Sequence, residues 1–191
     1  RSVCLATKGE ALEDVKTVSL DTSSRTSVVL TKIIFREFLG FEPEWRDADP
    51  NIEAMLSESE CALLIGDPAL SLSEPGAVAT GFLESAIRTF DLAELWHRYT
   101  GLGFVFAMWM TRRKTCGIDF AAARDEGLQH IDEIVSNYLS EIPIGRDKLA
   151  EYLSKNVSYS IDDPMQKGME LYFELAKKNG LLPEARPLVY L

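Results

Sequence analysis

Asp21-Thr22-Ser23-Ser24-Arg25-Thr26-Ser27 is the stretch whose residue types and spacing point most directly to chemistry. A helix is expected right behind it. Leu30, Ile33, Ile34 and Phe38 fall at i, i+3, i+4 and i+8, one apolar face, and Gly40 stands in the stop position. A helix start presents unpaired N–H groups and a partial positive charge. Hydroxyls of Ser24, Thr26 and Ser27 add donors there, and Arg25 adds a full charge. Such a constellation binds a carboxylate or phosphate without a cofactor. It is not a P-loop, because it has neither a glycine-rich run nor a Gly-Lys-Ser/Thr triplet. The competing role for the same hydroxyls is capping, their commonest use at a helix start.

A second candidate is Gly66-Asp67-Pro68, which ends the apolar run Cys61–Ile65. That run reads as a strand buried on both faces. Asp67 can orient a substrate or exchange a proton, although an Asp beside Gly and Pro often only shapes a turn. His97 and His130 fall off the apolar faces of their helices and read as solvated. Cys4, Cys61 and Cys116 form no CxxC pair, so neither zinc spacing nor a disulfide framework is present. They read as reduced, buried thiols. No Ser-His-Asp or Cys-His arrangement can be drawn.

These residues need a scaffold. Apolar residues make up 46% and charged residues 26% of the 191, which suits a folded core and excludes long disorder. A net charge of −10 argues against a nucleic-acid or membrane-surface partner. The apolar run Phe104 to Met110 is far shorter than the ~20 residues of a membrane span. Val15–Leu20 alternates like a strand, and a short strand is expected over Phe41–Arg46. Asn51–Ser57 reads as a helix, as does Asp91–Thr100, with Asp91 as cap and Gly101 as stop. Phe104–Met110 reads as another buried strand. From Asp119 onward the pattern is helical, with stripes Leu128/Ile131/Val135/Tyr138 and Met169/Tyr172/Phe173/Ala176. Asp163-Pro164 starts the last helix and Gly180 closes it. Strands alternating with helices predict an α/β fold with a largely parallel sheet over residues 12–110. Ligands of such sheets sit outside the strands' carboxyl ends, where both candidate loops fall.

Several of these stretches, in order along nearly the whole chain, resemble chorismate dehydratase of the futalosine (alternative menaquinone) pathway. They are Ser2-Val3 with the apolar pair behind it, Val18–Ser27, and Leu64-Ile65-Gly66-Asp67-Pro68-Ala69-Leu70. Asp91–Trp96, Tyr99–Leu102, Phe104–Ala107 and Gly180–Glu184 complete the set. The resemblance implies a two-lobed fold like type II periplasmic binding proteins, used as a cytoplasmic enzyme without metal or organic cofactor. It divides the chain into 1–11 (end of a first lobe and hinge), 12–110 (second α/β lobe) and 111–191 (helices returning to the first lobe). The implied reaction is loss of water from chorismate, a dicarboxylate, to give 3-[(1-carboxyvinyl)oxy]benzoate. Ser24, Arg25, Thr26 and Ser27 are then assigned to a substrate carboxylate, Ser2 and Gly66 to further substrate contacts, and Asp67 to positioning or proton transfer. The sister enzyme that makes 1,4-dihydroxy-6-naphthoate carries a catalytic His just after the strand matching Cys61–Ile65. This chain has Gly66-Asp67 there, which favours the dehydratase. The family's first half-lobe, with its Tyr-Leu-Asn type substrate motif, precedes the point where this sequence begins. A solute-binding protein for a small carboxylate is the non-enzymatic alternative.

Overall fold

The structure is a computed structural model and describes residues 2–72, 87–112, 117–141 and 144–183. Two compact units make up the chain. One carries the sequence up to Phe106 and again from Asp163; the other carries Ala107–Asp162.

The first unit is built on a five-stranded sheet of order β3-β2-β4-β1-β5. Its strands are β1 (Val3–Thr7), β2 (Thr17–Asp21), β3 (Glu44–Ala48), β4 (Cys61–Ile65) and β5 (Arg88–Asp91). Strand β2 runs parallel to both β3 and β4, whereas β1 runs antiparallel to β4 and β5. The strands of residues 12–110 that pair with one another, β2, β3 and β4, are thus parallel as expected, while the sheet as a whole is mixed. The cause is β1, whose five residues enter from the opposite direction and pair along all of β4, from Val3↔Ile65 to Thr7↔Cys61.

Alternation along the strands sends side chains to two faces. Leu5, Val18, Leu20, Cys61 and Leu63 meet Leu30, Ile33, Ile34 and Phe35 from the segment after β2, and Leu92, Leu95 and Trp96 from α4 (Leu92–Thr100). Cys4, Ala62 and Leu64 face the other way, against Met55 and Leu56 of α2 (Ile52–Glu58) and Ala69 of α3 (Gly66–Ser71). The helix after β2 is α1 (Arg25–Ile33), which widens into a π-helical turn over Ile34–Leu39. Gly40 and Gly101 end their helices as expected, with φ of 80° and 70°, left-handed values that glycine adopts without a steric penalty. Cys4 and Cys61 are buried, and burial pushes the Cys61 thiol well above its ordinary value. Cys116 lies outside the described residues.

The expected strand over Phe104–Met110 is absent. Among the described residues the segment has no sheet partner, and Trp109 and Met110 are exposed. Its apolar residues are satisfied by rings instead. Phe104 packs edge-on against Trp96 at 5.4 Å and Tyr172 at 5.3 Å, and Phe106 packs against Phe104. A continuous apolar run reports burial, not the kind of partner. The fifth strand is β5, which carries a single large apolar residue, Phe90, and gave no alternating signal.

Helix α8 (Asp163–Lys178) lies in the same unit as the sheet, with Tyr172 and Ala176 in the main core. It crosses the loop after α4 at very short range, because Gly168 has no side chain. A Cβ there would stand 1.9 Å from the Gly103 carbonyl oxygen. Trp96 donates its indole N–H to that same carbonyl at 3.2 Å. Lys178 and Asn179 both donate to the Glu37 carboxylate, at 2.6 and 2.8 Å, and hold it below its usual range.

The second unit holds α5 (Phe120–Gln129), α6 (Ile131–Tyr138), α7 (Arg146–Glu151) and a π-helical turn over Tyr152–Asn156. The stripe expected from Leu128 to Tyr138 is interrupted at His130, where φ of −111° breaks the helix. Only Val135 of that stripe is buried; Leu128 and Tyr138 are exposed.

Two outcomes follow from this packing. Gly168→Ala forces α8 off the Gly103 loop and lowers unfolding free energy by roughly 1–3 kcal/mol, readable by chemical denaturation. Glu37→Gln is less stable than wild type at neutral pH, by under about 1 kcal/mol because Lys178 is largely solvated. A depressed carboxylate contributes stability above its unfolded pKa, about 4.3, and loses it as pH falls through its folded value. The gap between the two proteins therefore closes on acidification, which denaturation curves at several pH values will show.

Candidate functional site

The strand order fixes where a crevice can open. From β2 the chain steps outward through α1 to β3, then returns through α2, past β2, to β4. Right-handed crossovers in opposite directions put α1 and α2 on opposite faces, as the two cores show. The point between β2 and β4 is the switch point of the sheet, where α/β folds open beyond the carboxyl ends of their strands. Leu20 pairs with Leu63, so β2 and β4 reach that end together, and antiparallel β1 begins there. The Gly66 N–H donates to the Ser2 carbonyl at 2.7 Å. Topology thus gathers Ser2, the Thr22–Ser27 segment and Gly66-Asp67 at one end of three adjacent strands.

The helix start after β2 forms as its residue types dictate. Ser24 is the N-cap, with extended backbone, and its Oγ accepts the Ser27 N–H at 3.2 Å while donating to the Ser27 Oγ at 2.8 Å. Ser27 is 1% exposed, so its hydroxyl serves the cap. The Ser24 carbonyl receives the Val28 N–H. Among the described residues, the amides of Arg25 and Thr26, the first two of α1, have no hydrogen-bond partner. Arg25 is exposed and, among the described residues, has no acidic partner; Thr26 is half-buried. The Tyr172 hydroxyl of α8 donates to the Thr26 carbonyl at 3.3 Å, and burial raises that phenol to about 12. Tyr172 therefore braces the first turn from behind. It went unread in the sequence, where it counted only as one member of an apolar stripe.

Before this helix, Asp21 accepts from both the N–H and the hydroxyl of Ser23, at 3.0 and 2.6 Å. Gly66 has φ of +63°, a left-handed turn that lets β4 pass directly into α3. Asp67 is exposed on the first turn of α3. His97 and His130 are exposed, as expected, beside the Leu102 carbonyl and the Glu133 carboxylate respectively, each at 3.3 Å. Among the described residues no group of three or more His, Cys, Asp or Glu could hold a metal. No described helix is long and apolar enough to cross a membrane.

The chain is similar to chorismate dehydratase of Thermus thermophilus, with 33% identity over 187 residues, covering 91% of this chain and 67% of that protein. It also resembles a crystal structure of an Archaeoglobus fulgidus protein. The TM-score is 0.55 and the identity 16%, over 95% of this chain and 69% of that one. At that identity the likeness speaks for the α/β fold. The family described as menaquinone biosynthesis matches residues 1–178, nearly the whole sequence. On that match and the Thermus identity, this chain belongs to the menaquinone biosynthesis family.

Proposed function

We propose that this protein is a chorismate dehydratase, a hydro-lyase converting chorismate to 3-[(1-carboxyvinyl)oxy]benzoate and water. The observation that carries the reading is the 33% identity to the Thermus enzyme across 91% of the chain. The helix start at the switch point supplies its chemical sense, since chorismate is a dicarboxylate and this is where an acidic protein offers unpaired donors.

In this reading one substrate carboxylate lies against the amides of Arg25 and Thr26, with the Thr26 hydroxyl and the Arg25 guanidinium beside it. Ser24 and Ser27 act through the cap that holds those amides in place. Ser2, Gly66 and Asp67, at the same end of the sheet, supply further contacts, with Asp67 positioning substrate or moving a proton. In the reaction a ring C–H bond breaks as the 4-hydroxyl leaves with its electron pair. The C–H electrons complete the aromatic ring, and the proton and hydroxide depart as water. Aromatisation drives the step, so the protein's task is to orient the leaving group and stabilise charge near the carboxylate.

The finer fold belongs to the same proposal: a type II periplasmic-binding-protein-like architecture, working in the cytoplasm without metal or organic cofactor, metal-free catalysis being part of the reading. So does the division into 1–11 as hinge, 12–110 as second lobe and 111–191 as a helical return to the first. Helix α8, packed on the sheet unit, would be where that return reaches the second lobe.

Incubating the full-length protein with chorismate and following the products by mass tests the assignment. The expected result is a product lighter by one water. Saturable binding without that product would instead mark a solute-binding protein. Within an active enzyme, Arg25→Gln lowers kcat/KM roughly tenfold or more, the effect of losing one charge-assisted contact. Thr26→Val lowers it severalfold, about 1 kcal/mol. Steady-state kinetics unchanged in both variants would exclude this helix start as the carboxylate site.

A further inference from the structure

The structure assigns Asp21 a role beyond ending a strand. We propose that its carboxylate is a positioning residue, holding the turn before α1 in the shape in which the Arg25 and Thr26 amides receive a substrate carboxylate. The inference rests on the reading of that helix start as the substrate site.

Asp21 is the last residue of β2 and is 1% exposed. Both donors of Ser23 converge on its Oδ1. Its Oδ2 is buried and, among the described residues, has no hydrogen-bond partner. That unfilled oxygen is the anomaly. A carboxylate taken out of water with one oxygen unsatisfied costs free energy that a turn alone does not require. An asparagine or serine would accept from Ser23 with less desolvation. What the charged oxygen adds is a stronger grip on two donors at once. A costlier group than the fold requires, at the switch point of an α/β sheet, points to function.

The path from Asp21 to the ligand is short. Asp21 fixes Ser23, and the next residue, Ser24, caps α1 by taking the Ser27 N–H. With that amide and the Val28 amide engaged, the Arg25 and Thr26 amides remain for a ligand. On the far side Tyr172 holds the Thr26 carbonyl. The first turn is therefore tied at both ends. Releasing the Asp21 end makes substrate binding order the turn, a cost that falls on affinity. The reacting atoms are untouched, so the loss appears in KM and not in kcat.

Kinetics and thermal unfolding of three variants of the full-length protein, with chorismate as substrate, test this. Asp21→Ala is expected to raise KM tenfold or more with kcat within threefold. Asp21→Asn keeps the acceptor and recovers at least half of that loss on a logarithmic scale. It is also at least as thermostable as wild type, because it removes a buried charge. Ser23→Ala raises KM about threefold. A KM for Asp21→Ala within threefold of wild type overturns the proposal. So does an Asp21→Asn enzyme as impaired as Asp21→Ala, or one that fails to fold. Should Asp21→Ala itself not fold, an unchanged KM in Ser23→Ala overturns it and a raised KM with kcat kept supports it. Wild-type protein that leaves chorismate intact defeats the parent reading, and this inference with it. Wild-type turnover with normal Asp21 variants defeats only this one.

Discussion

Handedness of the crossovers on either side of β2 is the constraint from which the rest of the first unit follows. Because β3 and β4 flank β2 and both run parallel to it, the connections must leave toward opposite faces. That separation splits the core in two, with Leu20 and Leu63 under α1 and Leu64 under α2 and α3. It also leaves the carboxyl ends of β2 and β4 uncovered by a shared helix. The proposed site lies there because α1 starts there, with amide donors that the helix itself does not use. The antiparallel β1 adds to this end without disturbing it, since its first residues meet the last residues of β4.

The proposed anion site, in a protein of net charge −10, is a local matter. The long-range field repels a dicarboxylate, and solvent screens it within about 10 Å at ordinary salt. At contact distance the proposed ligands, the amides and the Arg25 guanidinium, outweigh it. The site also depends on distant chain. Tyr172 braces the first turn of α1 from α8, and α8 can come that close only because Gly168 lies against Gly103. A contact between two glycines more than sixty residues apart thereby supports the geometry of the helix start.

Elements with local signals were legible in the sequence. The helix start within the Asp21–Ser27 stretch, the helix over Asn51–Ser57, the Asp91 cap and the buried β4 each follow from neighbours within a few residues. What the sequence hid was set by partners far along the chain. Strand β5 exists because β1 offers an edge, although Arg88-Thr89-Phe90-Asp91 shows little strand character of its own. Phe104 and Phe106 looked like a strand because burial against rings and burial in a sheet leave the same apolar run. The direction of β1 cannot be read from five apolar or small residues. In the site, the Thr/Ser-rich loop and the Gly66 turn announced themselves by composition. Asp21 and Tyr172 did not, since a strand-end Asp and a stripe Tyr are ordinary until their partners are known.

The central claim is that an organic acid is held by the first amides of α1. Backbone amide shifts of isotope-labelled full-length protein, followed by NMR during titration with the dehydration product, test it most directly. The account predicts that Arg25 and Thr26 show the largest displacements and saturate together. Saturable shifts elsewhere, with those two amides unmoved, would contradict it.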